Sequence, residues 1–413
     1  MKKIFILLFV ALLPILVFSQ DEKPKIEKNI YGFVKNDMFW DSRQTVTARE
    51  GHFLLFPSPI SKDAEGNDIN AVSNFNFLAI QSRVGLKVTG VEALNAKITG
   101  VVEGDFFGQA NDNINLFRLR HAYFKMNWKS TELLFGQYWI PMFITGCFPG
   151  TVSFNTGVPF QPFGRNPQVR LTQDFGKVHF VAIANSQRDY VSRGAAGVTG
   201  TYLRNSSIPE LSGQLYFNSK NADKDSEFLI GGGASYKSIV PEIVTDSNFV
   251  TTESVDGFNA IAFMKVKMSA FTFKVEGIYG QNIPDVLSIG GFGVASIDTV
   301  KGYKTYSPLN TMSVWTDLSL QLNNFELGFF GGYSKILGSD VEIIGSIYGL
   351  GTNIESIYRV SPRVTYKVNN VKFAFETEYT AANYGSSRNN YGIPTDLTEA
   401  TNLRFLFSAY YFF

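Results

Sequence analysis

The sequence predicts an all-β transmembrane protein: an antiparallel β-barrel of about 16 strands, with short turns at one end and long loops at the other. Three observations support this fold class. Apolar and polar residues alternate with a period of two along most of the chain, as they do in strands that have one apolar face. Short and long connections between these segments alternate strictly. The chain ends on an aromatic strand whose last residue is Phe413.

Composition excludes several other classes of protein. The 413 residues include 37 Lys and Arg against 36 Asp and Glu, and charged residues make up only 18%. An ordinary soluble domain has about 25%, while the aromatic content of 15% is too high for a disordered chain. The balanced charge provides no basic excess for nucleic-acid binding. A single Cys excludes an internal disulfide framework.

Residues 1–19 have the features of a secretory signal peptide. Lys2 and Lys3 precede the apolar run 4–18, and Ser19 provides a small residue before cleavage at Gln20. The alternative is a membrane anchor, but the run is shorter than the about 20 residues that a spanning helix needs. We therefore expect export from the cytoplasm, with residues 20–29 as a short periplasmic segment before the barrel.

The strands themselves are visible as alternating segments. Residues 271–279 illustrate the pattern, because apolar side chains at odd positions alternate with Thr272, Lys274 and Glu276. A soluble β-sandwich would alternate in the same way, so the lengths of the connections must decide between the two architectures.

The connections favour a membrane barrel. Short turns are expected near residues 88–94, 127–131, 175–177, 219–226, 268–270, 322–324 and 367–370. Long connections are expected near 41–73, 107–113, 141–164, 189–209, 239–256, 283–309, 337–354 and 384–401. This arrangement joins an even number of strands and puts both chain ends on the short-turn side, which is typical of outer-membrane barrels. Because hydrocarbon has no partner for a free backbone N–H or C=O, the sheet must close. We predict one barrel domain over residues 30–413.

The terminal strand, residues 403–413, has apolar side chains at alternate positions, including Phe405, Phe407, Tyr411 and Phe413. This pattern is similar to the C-terminal signal by which the barrel-assembly machinery recognises outer-membrane proteins. The alternative is the edge strand of a soluble protein, which would leave its edge and its aromatic face uncovered.

Three stretches resemble the bacterial porins, and among them the DcaP-like and related Bacteroidetes porins. They are residues 31–37, residues 117–123 together with 135–137, and the terminal strand. The resemblance implies a homotrimer in outer-membrane lipid, with each barrel narrowed by its third long loop. DcaP-like proteins can carry a periplasmic coiled coil before the barrel, and the segment 20–29 is too short for one.

A set of arginines lies on the polar faces of the predicted strands: Arg83, Arg118, Arg120, Arg170, Arg359, Arg363 and Arg404. An Arg at the bilayer midplane costs about 2–4 kcal/mol on the lipid face, so these side chains should line the pore. Two interpretations stay open. Free guanidinium groups would attract anions, whereas a structural lattice would pair them with carboxylates. Candidate partners are Glu103, Asp105, Glu276, Asp317, Glu326, Glu376 and Glu378.

The third long connection, residues 141–164, is the candidate constriction loop. It contains five Phe and no acidic residue. If it folds inward, it brings aromatic rings and a basic residue to the narrowest part of the lumen, which would favour organic anions over cations. The residues concerned are Phe148, Phe154, Phe160, Phe163 and Arg165.

An enzyme is not expected. The three histidines are His52, His121 and His179, and none has a defensible nucleophile nearby in the pattern. His121 is expected on the face opposite Arg120, toward lipid. No metal site is expected, because the segment 63–68 has Gly at its fourth position whereas a calcium loop has it at the sixth. No cofactor is implied.

Together these features predict a diffusion channel of the bacterial outer membrane for small polar solutes. The preference between anions and cations stays open, and the basic, aromatic constriction is the argument for anions. One alternative is a substrate-specific channel for an organic anion or an aromatic compound. Another is a non-conducting surface barrel that acts as an adhesin or scaffold. Conductance in planar bilayers separates the channels from the scaffold, and competition by candidate solutes separates the two kinds of channel.

Overall fold

The computed structural model describes residues 25–413. The expected signal peptide, residues 1–19, and the first part of the 20–29 segment therefore lie outside the described residues. Within residues 25–413, the helices are all too short or too polar to cross a membrane.

Sixteen antiparallel strands form one closed barrel, as the sequence predicts. Their bounds are β1 Glu27–Asp41, β2 Asn74–Leu78 with Arg83–Ala93, β3 Ala96–Asp105, β4 Arg118–Asn127, β5 Thr131–Trp139, β6 Arg165–Phe175, β7 Val178–Asn185, β8 Glu210–Asn221, β9 Ser226–Ile239, β10 Val255–Met268, β11 Phe271–Gln281, β12 Asn310–Leu322, β13 Phe325–Gly338, β14 Ile354–Val368, β15 Val371–Arg388 and β16 Pro394–Phe412. The first strand begins inside the segment expected to precede the barrel, and β2 is interrupted at residues 79–82.

The barrel closes where the first strand meets the last. β1 pairs with β16 from Phe33↔Phe412 to Asp41↔Arg404. On its other edge, β1 pairs with both pieces of β2. No strand edge is left free in this ring, which is what an apolar surrounding requires of a sheet.

The short turns occur at all seven predicted places. They are residues 94–95, 128–130, 176–177, 222–225, 269–270, 323–324 and 369–370. Asn323 and Asn369 have φ of 51° and 50°, a left-handed conformation that Asn tolerates better than most residues.

Seven of the eight expected long connections are also present, but the last one is wrong. β15 and β16 continue to Arg388 and from Pro394, so only residues 389–393 connect them. These strands pair as far as Arg388↔Pro394. Their outer parts carry polar residues on both faces, so they lack the alternation that marks a strand in the sequence.

Several loops carry elements of their own. Thr45–Ala48 pairs with Phe53–Pro57 to form a hairpin in the first loop, and Gly290–Ile297 joins Lys304–Pro308 and Ile347–Leu350 in a three-stranded sheet. The remaining small elements are the pair Arg193–Gly194 and Gly197–Val198, the helix Thr201–Asn205, and the 3-10 turns Asn111–Asn113 and Pro284–Val286.

The two faces of the barrel differ in chemistry. Outward side chains are apolar and exposed along the strands, for example Leu119 and Phe124 in β4. The four residues of the terminal aromatic pattern, Phe405, Phe407, Tyr411 and Phe413, are also exposed. Charged side chains are instead buried toward the interior, where the candidate site lies.

Candidate functional site

The interior of the barrel contains a lattice of ion pairs. Arg404 of β16 holds Asp41 of β1 through two hydrogen bonds, Nε to Oδ1 at 2.9 Å and Nη2 to Oδ2 at 2.6 Å. Arg363 holds Asp317 in the same way, at 2.7 and 3.2 Å. Two-point pairs of this kind orient both side chains. Asp41 could not be predicted as a partner, because it lies where the sequence predicts the start of the first long connection, at the end of β1.

A second part of the lattice lies on β2, β3 and β4. Arg120 bridges Glu103 at 2.8 Å and Asp105 at 2.9 Å, and Arg118 contacts Asp105 at 2.8 Å. Arg83 lies 3.6 Å from Glu103. Most of the arginines on the inner face are thus neutralised, and the lattice describes them better than a ring of free charges.

Asp189 extends this lattice from a loop. Its carboxylate contacts Arg165 at 2.5 Å and Arg118 at 3.4 Å. Burial alone would raise the pKa of Asp189, but the two guanidinium groups outweigh that and lower it. The alternation of apolar and polar residues could not have identified Asp189, since this residue lies outside the strands.

Arg170 of β6 differs from the other arginines. Its Nε donates to Oε1 of Gln168 at 3.0 Å and its Nη2 donates to the carbonyl of Trp139 at 2.9 Å. The guanidinium also lies 5.1 Å from the ring centre of Tyr138. Among residues 25–413, no carboxylate lies within ion-pair distance of it. Its positive charge is held in place and left unneutralised.

The expectation that His121 faces lipid is wrong. The pairing of β3 with β4 shifts between Glu103↔His121 and Gly104↔Leu119, so Arg120 is an extra residue in a β-bulge. A bulge reverses the alternation beyond it. Arg120 and His121 are consequently both buried, and His121 packs beside Tyr138, 5.5 Å between ring centres.

The candidate constriction loop lies inside the barrel and contacts the opposite wall. Backbone N–H groups of Val152 and Ser153 donate to the Glu376 carboxylate at 2.8 and 3.0 Å. Asn155 Nδ2 donates to Glu378 Oε1 at 2.7 Å. Gly150 N donates to Asp317 at 3.1 Å. Three carboxylates that the sequence offered as partners of arginines, Glu376, Glu378 and Asp317, therefore bind the loop.

The aromatic residues of this loop mostly pack against protein. Phe154, Phe160 and Phe163 are buried, whereas Phe148 is 39% exposed. Phe160 packs against Gly332 of β13, where a Cβ would come within 2.5 Å of the ring. The buried rings thus hold the loop in place. Phe148, with Lys274 Nζ 5.5 Å from its ring centre, is the one of the four that remains open to the lumen.

An open cavity of about 400 Å³ remains at the short-turn end of the interior. Its wall comes from β4 to β10, and residues 144–146 of the inner loop close one side. Within this wall, Lys125 pairs with Glu132 of the neighbouring strand at 2.9 Å, and His179 pairs with Asp174 at 2.5 Å. Arg170 is the unpaired charge in this lining.

Further cations without a carboxylate partner lie on the inner face near the same end. Lys367 and Lys372 are directly opposite each other on β14 and β15, an arrangement of like charges that destabilises a sheet. Neither forms an ion pair or a side-chain hydrogen bond with any residue of the described part. Lys274 of β11 donates only to the carbonyl of Phe148, at 2.9 Å.

Comparisons with known proteins support the fold. No model of a protein family matches the sequence, and no curated protein sequence matches it. The chain is similar to the crystal structure of the outer membrane channel DcaP of Acinetobacter baumannii, with 17% identity, a TM-score of 0.68, and coverage of 94% of this chain and 97% of that one.

Two other solved structures are more distant. An anion-selective porin from Comamonas acidovorans has 10% identity and a TM-score of 0.53, covering 94% of this chain and 100% of that one. OmpT, an outer-membrane protein of Vibrio cholerae, has 11% identity and a TM-score of 0.53, covering 96% and 99%. At such low identity these similarities establish a porin-like barrel fold and nothing finer.

Proposed function

We propose that this protein is a diffusion channel of the bacterial outer membrane through which small polar solutes pass down their gradients. The open cavity bounded by β4 to β10 carries this proposal, because it is a polar space inside a closed wall. The loop 141–164 would act as the constriction, and the short turns would face the periplasm. No cofactor and no catalytic step are part of this function.

Single-channel recording in planar bilayers tests the proposal. The purified, folded protein is expected to produce discrete conductance steps, and an unfolded sample of the same preparation serves as the control. A barrel that inserts and never conducts would instead support the adhesin or scaffold function.

Selectivity for anions follows from the surplus of charge, which decides selectivity more than the number of charged groups does. Carboxylates of the cavity are paired with Lys125 and His179. Arg170 in the same lining lacks such a partner, and so do Lys367 and Lys372, which lie outside the cavity on the inner face of β14 and β15. A reversal potential measured across a salt gradient should therefore have the sign of anion preference, and a cation preference would contradict this part of the proposal.

A substrate-specific channel is the second candidate, and the same cavity favours it. Tyr138 lies under the Arg170 guanidinium, and the ring of His179 stacks on Tyr216 with centres 4.7 Å apart. A guanidinium beside aromatic faces suits an aromatic carboxylate. Benzoate should then block the conductance at lower concentration than cyclohexanecarboxylate, whereas equal block by both would favour a general channel.

Location and assembly are proposed on the same basis. The apolar outer face requires lipid, so we expect the exported protein in the outer membrane, after recognition of its terminal strand by the barrel-assembly machinery. A homotrimer is expected from the resemblance to porins. Chemical cross-linking of detergent-purified protein should give bands of one, two and three linked chains. If the largest species contained only one or two chains, the trimer would be excluded.

A further inference from the structure

We infer that the hairpin of the first loop, residues 45–57, is a second inner loop that closes part of the lumen together with loop 141–164. Solute would then be confined to an off-axis passage beside β4 to β10. This inference rests on the proposed channel function and names a segment that would set the size of the passage.

The second strand of the hairpin is buried like a core element, and the first strand, Thr45–Ala48, is half-buried. All five residues of the strand Phe53–Pro57 are buried, and Phe53 is 0% exposed. The Phe53 ring lies 5.5 Å from those of Phe154 and Phe163 and 6.0 Å from that of Tyr190. The two loops therefore share one aromatic cluster inside the barrel.

Side chains from the wall bind the tip of the hairpin. His52 Nε2 lies 2.7 Å from Asp37 Oδ2 of β1, and Arg404 Nη2 of β16 donates to the carbonyl of Gly51 at 2.8 Å. Gly51 has φ of 87°, and a Cβ there would lie 3.1 Å from Phe39, so the tip requires glycine to approach the wall this closely.

The other end of the hairpin is bound by β14 and β15. Arg359 Nη2 donates to the carbonyl of Leu55 at 2.8 Å, and the hydroxyl of Tyr384 donates to the carbonyl of Pro57 at 2.5 Å. Four neighbouring wall strands, β14 to β16 and β1, thus hold the hairpin. A loop that only covered the outside of the pore would leave these buried donors without acceptors.

Arg359 binds both loops at once. Its Nη1 donates to the carbonyl of Val158 in loop 141–164 at 2.8 Å, while its Nη2 binds Leu55 in the hairpin. Its Nε donates to Thr380 Oγ1 at 2.8 Å. This side chain, expected to line the pore, instead ties the two inner loops to the wall.

The position of the cavity agrees with this arrangement. Its lining comes from β4 to β10 and from residues 144–146, and none of it comes from β1 or from β14 to β16. The cavity therefore lies on the far side of loop 141–164 from the hairpin.

The test replaces residues 47–56 with two glycines and records single channels. A matched control shortens an external loop by replacing residues 246–249 with two glycines, a segment bound to other loop residues and not to the lumen. We expect the hairpin variant to conduct at least about 1.5-fold more than wild type, because conductance follows the open cross-section. It should also admit larger polyethylene glycols, whereas the control should match wild type.

A second variant avoids a failure to fold. Arg359→Lys keeps the charge but can bind only one loop carbonyl well, so its open-channel current should fluctuate more than that of wild type. The inference is overturned if wild type conducts and neither variant changes conductance, polymer cut-off or current noise. A wild-type barrel that does not conduct would instead count against the channel function itself.

Discussion

Replacing Glu376 tests how firmly the inner loop is held against the wall. This buried carboxylate accepts backbone N–H groups from Val152 and Ser153 at 2.8 and 3.0 Å. A hydrogen bond to a charged group contributes about 1.5–3 kcal/mol. Loss of both bonds in Glu376→Ala should therefore weaken docking of the loop by about 3–6 kcal/mol. The substitution also leaves two buried donors without acceptors.

That loss is large enough to observe in single channels. About 3 kcal/mol changes the ratio of docked to undocked loop by roughly 100-fold, at 1.4 kcal/mol for each factor of ten. Open-channel recordings of Glu376→Ala should therefore show frequent transitions between conductance levels that wild type visits rarely. Glu376→Gln keeps one acceptor oxygen, so the frequency of its transitions should lie between those of Glu376→Ala and wild type.

Glu399→Ala provides a matched control, because this exposed residue of β16 lies at the long-loop end and contacts neither inner loop. If Glu376→Ala shows no more transitions between conductance levels than the control does, the carboxylate does not hold the loop. That result would refute the reasoning from its hydrogen bonds.

Three further results are expected. Asp41→Asn should lower the free energy of unfolding by about 3–5 kcal/mol in urea titrations, because it leaves the buried Arg404 guanidinium without its counter-charge; an unchanged midpoint would contradict the lattice. Arg170→Gln should reduce the anion-to-cation permeability ratio, whereas Arg204→Gln in an external helix should not; equal ratios would remove Arg170 from the selective passage. Burial raises the pKa of the Cys147 thiol to about 12, so at pH 8 the protonated, enclosed thiol should resist maleimide until the protein is unfolded, and rapid labelling of the folded protein would show that the loop is open.

The strands and turns could be predicted because a lipid-facing sheet imposes a simple rule on every residue. Alternation of apolar and polar side chains identified the strands, and Asn pairs such as Asn323 and Asn324 marked turns. The rule fails where lipid no longer constrains the chain. The extensions of β15 and β16 around residues 384–401 carry polar residues on both faces, so they resembled a loop.

The arrangement of the interior was harder to predict, since it depends on contacts between distant segments. A bulge at Arg120 turns His121 inward, and nothing in the local pattern of β4 marks that extra residue. The partner of Arg404 is Asp41, more than 350 residues away in the chain. Inward folding of the hairpin 45–57 likewise depends on donors such as Arg359, which only the closed barrel brings near.

Cysteine accessibility on neighbouring residues of one strand tests whether the inner face is wet and the outer face is in lipid. In a Cys147→Ser background, Lys372→Cys and Phe373→Cys place thiols on opposite faces of β15. A negatively charged, membrane-impermeant methanethiosulfonate reagent, added while the channel conducts, should change the current of Lys372→Cys within seconds to minutes and leave Phe373→Cys unaffected. Reaction of Phe373→Cys alone, or identical behaviour of both variants, would contradict a water-filled barrel with this orientation of its strands.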